Sequence, residues 1–213
     1  MYKILLSKTL ILITILFSSF SWAEKYSSEI SVGLGMNNIS FAETKSVVTD
    51  LTRNSGPIEG TASLLTADIR YKLFPSNKLD YFIRLTGPLF SDGANSYFGA
   101  HVGASYYFVN SGSKFKHNDE GNTLTYTPKL RIFAGLEVGT EYLIYSEEDV
   151  KKENDLIVDV GVHAGASYNL FKDWSIMPSL HVARGAGAKT TTLNMQGVIN
   201  FVYFFKGFGR SSL

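Results

Sequence analysis

Strict period-two alternation constrains this chain more than any other feature. Eight segments place apolar side chains on one face and polar or small ones on the other, as strands between two unlike environments do. Ile30, Val32, Leu34 and Met36 oppose Glu29, Ser31, Gly33 and Gly35. Ala67, Ile69, Tyr71 and Leu73 oppose Thr66, Asp68, Arg70 and Lys72, and Tyr81, Ile83 and Leu85 oppose Phe82, Arg84 and Thr86. The same split recurs over Phe98–Phe108, Leu130–Val138, Leu156–Leu170, Trp174–Val182 and Leu193–Phe205.

Alternation alone fits a soluble barrel with an apolar inside or a membrane barrel with an apolar outside. The polar face mixes full charges with many glycines, which suits a narrow, filled lumen better than a watery exterior. Aromatic residues gather where strands meet short turns: Tyr71, Phe74, Tyr81, Tyr106, Phe108, Tyr168, Phe171, Trp174, Tyr203 and Phe205. That is the girdle of a periplasmic-side membrane interface. Connections also alternate in length. FPSNK and FKD are tight, whereas Asn37–Gly60 and Ser146–Asn154 are longer and polar. Asn110–Asn122 breaks the rule, being long on the short-turn side. Pro128 and Pro178 call for strand ends or bulges, because a closed barrel has no free edge. A soluble lipocalin-like barrel is the structural runner-up, but it would expose mostly glycine on its polar face.

The first 23 residues read as a secretory signal peptide. Lys3 and Lys8 precede a short apolar run, and Ser21-Trp22-Ala23 forms a small-residue cleavage site, so residues 24–213 are the expected barrel domain. The chain has no cysteine, which excludes a disulfide-stapled scaffold. Its net charge of +1 gives no electrostatic case for nucleic acid.

Parity restricts the turns, since a one-residue slip would put charges into lipid. Around FPSNK, pairing Leu73 with Leu79 sets Asp68 opposite Arg84 and Lys72 opposite Asp80. Around FKD, pairing Leu170 with Trp174 sets His163 opposite His181, with His101 expected at a similar depth. An eight-stranded barrel is just wide enough for side chains to fill. Glu29, Asp68, Arg70, Arg84, Lys129, Arg131, Glu137 and Asp159 therefore read as a salt-bridged plug that fixes the fold. Two readings remain for His101, His163 and His181. One is a metal site; the other, which we favour, is a hydrogen-bonded network with Asp159, Ser105 and Ser167. No cofactor or metal is expected.

The phrases HVGASYYF (His101–Phe108) and HAGASYNLF (His163–Phe171) nearly repeat each other. A repeated position in a repeated hairpin explains them without a repeated active site. A hydrolase needs a nucleophile beside a base and an orienting acid. The outer-membrane lipid A deacylases carry His-x-Ser-Asn on a late strand. Here the nearest match is His181-Val182-Ala183-Arg184, which lacks the serine. Ser179, Ser105 and Ser167 pair only loosely with histidines, so no enzyme is expected.

With these strands and the phrase GASYNLFKDWSIMPSL (Gly165–Leu180), the chain resembles the small outer-membrane β-barrel domains of the OmpA/OmpX and opacity types. The resemblance implies an eight-stranded, antiparallel, up-and-down transmembrane β-barrel in the outer membrane of a Gram-negative bacterium. It implies contact with outer-membrane lipid, with lipopolysaccharide and with the barrel assembly machinery. It implies no particular activity, because one such fold serves many ends. The expected role is non-enzymatic, in surface interaction through the outer loops with an unidentified partner or in membrane organisation. The alternatives are a narrow carrier or binder of a small hydrophobic ligand and a lipid-modifying enzyme. The chain departs from the pattern at its end, where KGFGRSSL follows Phe204 and Phe205.

Overall fold

A computed structural model of the chain describes residues 27–43, 59–89, 96–112, 115–119, 122–126, 128–145, 153–171 and 173–205, and every structural statement below concerns these. The expected signal peptide and the closing KGFGRSSL lie outside the described residues.

The strands are β1 (Ser27–Glu43), β2 (Glu59–Phe74), β3 (Leu79–Pro88), β4 (Ser96–Val109), β5 (Phe115–Asp119), β6 (Asn122–Tyr126), β7 (Leu130–Tyr145), β8 (Glu153–Asn169), β9 (Trp174–Gly187) and β10 (Thr190–Phe205). Eight of them close into an antiparallel barrel in the order β1-β10-β9-β8-β7-β4-β3-β2, and β5 pairs with β6 as a separate hairpin. The hairpin occupies the long connection on the tight-turn side, where the sequence suggests only a loop. Its strands are too short and polar to show alternation.

The stagger of the ladder can be read from its pairs. From Ser31, partners lead through Arg70, Arg84, His101, Gly139, Asp159, Gly185 and Thr192 back to β1 at Phe41, ten residues on. That shear tilts the strands by about 40° and leaves a lumen that side chains can fill. The outside is apolar: Leu136, Val160 and Leu156 are 66%, 64% and 60% exposed. The inside is charged: Arg70, Arg84, Asp68 and Glu137 are all buried. In water this arrangement would be inverted, and in a bilayer it satisfies both surfaces.

At the end bearing the longer loops the polarity reverses. Asn38, Ser40, Thr61 and Ser63 point outward and exposed, while Ile39, Leu64, Tyr97, Leu143 and Ile157 form an apolar cluster inside. The outward face has left the lipid there, but the ladder continues. Strands therefore extend past the expected loop boundaries: Asn37 lies within β1, and the connection runs over 44–58. A second apolar cluster, Phe74, Tyr107, Phe133, Met177 and Val202, closes the opposite end of the lumen. The turn Asn110–Gly112 folds beneath it. Asn110 adopts φ 61°, a left-handed conformation that asparagine tolerates. Gly112 packs so closely on Tyr107 that a Cβ would lie 2.6 Å from Cδ2 of that ring.

The FPSNK register differs from expectation by two residues. Leu73 pairs with Tyr81, so Arg70 faces Arg84 and Asp68 faces Thr86. The cause lies in the turn. The Tyr107 amide donates to the Lys78 carbonyl and the Gly112 amide donates to the Asn77 carbonyl, so residues 77–78 belong to the next hairpin. A two-residue slip keeps parity and cannot be seen in the alternation. At FKD the expected register is found: the Leu170 amide donates to the Trp174 carbonyl, and His163 faces His181. Pro178 lies mid-strand, where the β8–β9 pairs skip from Gly165–Ser179 to Tyr168–Ile176.

Two expected positions are corrected. Phe74 is buried in the lumen floor, not in the girdle, because its parity points it inward with Lys72. Lys129 is exposed before β7 begins, with its ammonium 5.7 Å from the Tyr168 ring, so it stands outside the lumen charges. Tyr71, Tyr81, Tyr106, Phe108, Tyr168, Phe171, Trp174 and Tyr203 do point outward near the tight turns, with Trp174 and Tyr203 in ring contact at 5.0 Å. The side chain of Phe205 lies outside the described residues.

Candidate functional site

The lumen is a stack of polar layers between the two apolar clusters. Lowest is Arg131, whose Nη1 donates to Glu29 Oε1 and to the Gly112 carbonyl, and whose Nη2 donates to Ser167. Its guanidinium lies 4.5 Å from the Phe204 ring. Above it, Lys72 Nζ donates to Asp80 Oδ2 at 2.9 Å and to the Tyr107 hydroxyl at 3.0 Å, and lies 4.4 Å from the Phe133 ring. Asp80 also accepts from Tyr107 at 2.7 Å and from Ser105 at 2.9 Å.

The middle layer joins β2, β3, β7, β8, β9 and β10. Arg84 Nη2 donates to Glu137 Oε1 at 2.9 Å, and its Nη1 lies 3.5 Å from Asp68 and donates to Gln196. Arg70 lies 3.6 Å from Asp68 and donates to His181 Nε2 at 2.9 Å. The like charges brought opposite each other by the register are thus each matched by carboxylates. The His163 and His181 rings stack at 5.4 Å.

The upper layer is His101, Glu141 and Asp159. His101 Nε2 lies 3.0 Å from Asp159 Oδ2 and 3.7 Å from Glu141 Oε1. Glu141 accepts from the Tyr97 hydroxyl at 2.9 Å and from Asn194 Nδ2 at 2.7 Å.

The three histidines therefore do not converge at one depth. Strand tilt sets Ser105, not His101, level with His163 through Gly135. A Cβ at Gly135 would lie 2.7 Å from His163 Cε1, so glycine makes the room for that ring. The two HxGAS phrases also do different work: Ser105 of the first bonds His163 of the second across the lumen at 3.0 Å.

The hydrogen bonds fix which nitrogen accepts. Arginine can only donate, so His181 Nε2 is an acceptor and its Nδ1–H donates to Glu137 at 3.1 Å. Ser179 Oγ lies 3.2 Å from that same Nε2, completing a serine–histidine–glutamate line. Arg70 already occupies the lone pair that a general base would use. At the other serine, Ser105 gives its one proton to Asp80, so His163 Nε2 is the donor to Ser105. Both arrangements run against nucleophile activation, and both lie inside the closed lumen. Between the layers, Arg84, Glu137, Glu141, His181, Ala183, Asn194 and Gln196 line a gap too tight to admit a water molecule.

Sequence reading missed the upper layer as a unit. Glu141 repeats the parity of Glu137 four residues on, which is the signal that could have found it. Asn194 and Gln196 share the polar face of their strand by alternation, whereas Tyr97 carries no signal of its own.

This is the architecture of the small eight-stranded outer-membrane β-barrels. The chain is similar in structure to the outer-membrane protein OprG of Pseudomonas aeruginosa (TM-score 0.50, 11% identity, 84% of this chain and 97% of that one). It is also similar to the outer-membrane protein AlkL, whose structure was determined in lipid bilayers (TM-score 0.51, 13% identity, 88% of this chain and 93% of that one). Such low identities carry the fold and nothing further. No protein-family model and no curated protein sequence matches the chain.

Proposed function

We propose that this is a non-enzymatic outer-membrane protein of a Gram-negative bacterium, acting through its surface in adhesion-type contacts or in organising the membrane. The observation that carries the reading is the filled lumen. Paired charges occupy it between two apolar layers, so its serines and histidines have no open cleft. That leaves the lipid-facing wall and the outer connections to carry function. Lipid, lipopolysaccharide and the assembly machinery are the partners this reading entails, after signal cleavage near Ala23.

The reading predicts that the reconstituted barrel gives no stepwise ion conductance in planar bilayers. It predicts that Ser105→Ala and Ser179→Ala leave cell adherence and detergent resistance of the parent strain unchanged. Replacing residues 44–58 and 146–152 by tight turns removes those properties while the barrel still folds. Conductance steps would point to an open aqueous pore, and a phenotype tracking Ser179 would point to an enzyme; either contradicts the proposal.

A further inference from the structure

We propose that His101, Glu141 and Asp159 form a structural site for one divalent transition-metal ion, zinc-like in its chemistry. The inference is independent of the surface role proposed above.

Charge balance is the first argument. Six lumen carboxylates (Glu29, Asp68, Asp80, Glu137, Glu141 and Asp159) face the cations Arg70, Lys72, Arg84 and Arg131. A further acid, Asp155, sits at the rim, where the amides of Ala188, Lys189 and Thr190 donate to it. Glu29, Asp68, Asp80 and Glu137 each have an arginine or lysine within 4.0 Å. Among the described residues Glu141 and Asp159 have only His101. An imidazolium would offset one of these two buried charges. A dication with neutral His101 offsets both, and buried charge left uncompensated is costly.

Geometry is the second. The three candidate ligand atoms lie within 4.8 Å of one another. Tetrahedral coordination at zinc-type bond lengths separates ligand atoms by about 3.3 Å. The separations of 3.0 Å from His101 Nε2 to Asp159 and 3.7 Å to Glu141 bracket that value. The hydrogen bonds from Tyr97 and Asn194 hold the Glu141 carboxylate in place, as the outer shell of a metal site does. Glycine admits the imidazole, since a Cβ at Gly99 would lie 2.8 Å from His101 Cε1.

Unmet bonding capacity is the third. Asp159 is 2% exposed and faces the lumen, yet its Oδ1 has no hydrogen-bond partner. The other three-residue group, Glu137, His163 and His181, meets the distance criterion and also has an unpartnered atom, His163 Nδ1, but it fails on charge. Arg84 and Arg70 already bond Glu137 and His181, and a dication there would face two guanidinium groups. One imidazole and two carboxylates suit zinc, cobalt or manganese, and offer too few oxygens for calcium. The apolar cluster above seals the site from water, so the ion would enter as the barrel folds.

The test is refolding of the full chain into lipid vesicles with equimolar Co2+ or Zn2+, followed by removal of free metal. Metal content and the visible absorption of bound Co2+ are the readouts, and the heat-dependent gel shift reports folding. The expected result is about one ion per chain for the parent protein. Asp159→Asn loses the ion and the Co2+ bands, whereas His163→Gln keeps both. Should Asp159→Asn not fold, Tyr97→Phe removes only an outer-shell hydroxyl and is expected to weaken binding about 10- to 100-fold. A folded parent protein carrying metal in fewer than about one chain in ten, or Asp159→Asn or Tyr97→Phe retaining the parent's affinity, would overturn the proposal.

Discussion

Glu137→Leu is expected to destabilise the barrel by about 3–5 kcal/mol, the scale for removing one partner from a buried ion pair. Glu137 accepts from Arg84 at 2.9 Å and from His181 Nδ1 at 3.1 Å, and it is 2% exposed. Leucine supplies no acceptor. Arg84 keeps Asp68 at 3.5 Å, but that carboxylate is shared with Arg70 at 3.6 Å. The variant therefore leaves one guanidinium undercompensated and one imidazole N–H unpaired in a dry site. Urea unfolding from lipid vesicles, followed by Trp174 fluorescence, measures the change. A loss below about 1 kcal/mol would mean that water reaches the layer and screens it, as for a surface pair.

On the lipid face, Leu136→Arg is expected to cost about 2–4 kcal/mol, and Leu156→Arg only about 0–1 kcal/mol. Both leucines point outward, at 66% and 60% exposure, so burial within the protein does not separate them. Depth does. Leu136 lies midway along the apolar band of β7, whereas Leu156 is followed outward by the exposed Asn154 at the loop end of β8. The described residues already include one outward arginine: Arg184 is exposed between Val160 and Leu193, on the loop side of the level of Leu136. A long, flexible stem lets a guanidinium on the lipid face extend toward the headgroups. Equal costs at the two positions would contradict a bilayer around the barrel.

What the sequence shows is where lipid is, and only indirectly where strands are. Ile30 to Met36 alternate visibly because their outward face is apolar. From Asn38 onward the same strand turns polar outside and apolar inside, so the pattern that reveals a membrane strand disappears while the ladder runs on to Glu43. The apolar cap around Tyr97 was hidden for that reason. Parity made the inward direction of Asp68, Arg70, Arg84 and Arg131 legible, and FKD was short enough to fix His163 opposite His181. It could not separate registers two residues apart at FPSNK. Nor could it place His101, Glu141 and Asp159 together, because that meeting depends on the shear of the closed barrel, a property no single hairpin contains. Lys129 and Phe74 were misplaced at the strand ends, where one residue of uncertainty decides which side a chain element serves.

The central claim is an apolar face against lipid around a side-chain-filled lumen. Its most direct test is expression in a Gram-negative host, fractionation of the membranes, and gel mobility of boiled against unboiled samples. The account predicts a band in the outer-membrane fraction that changes mobility on boiling. A soluble periplasmic band with no mobility change would contradict it, and would require the polar face to turn outward to water.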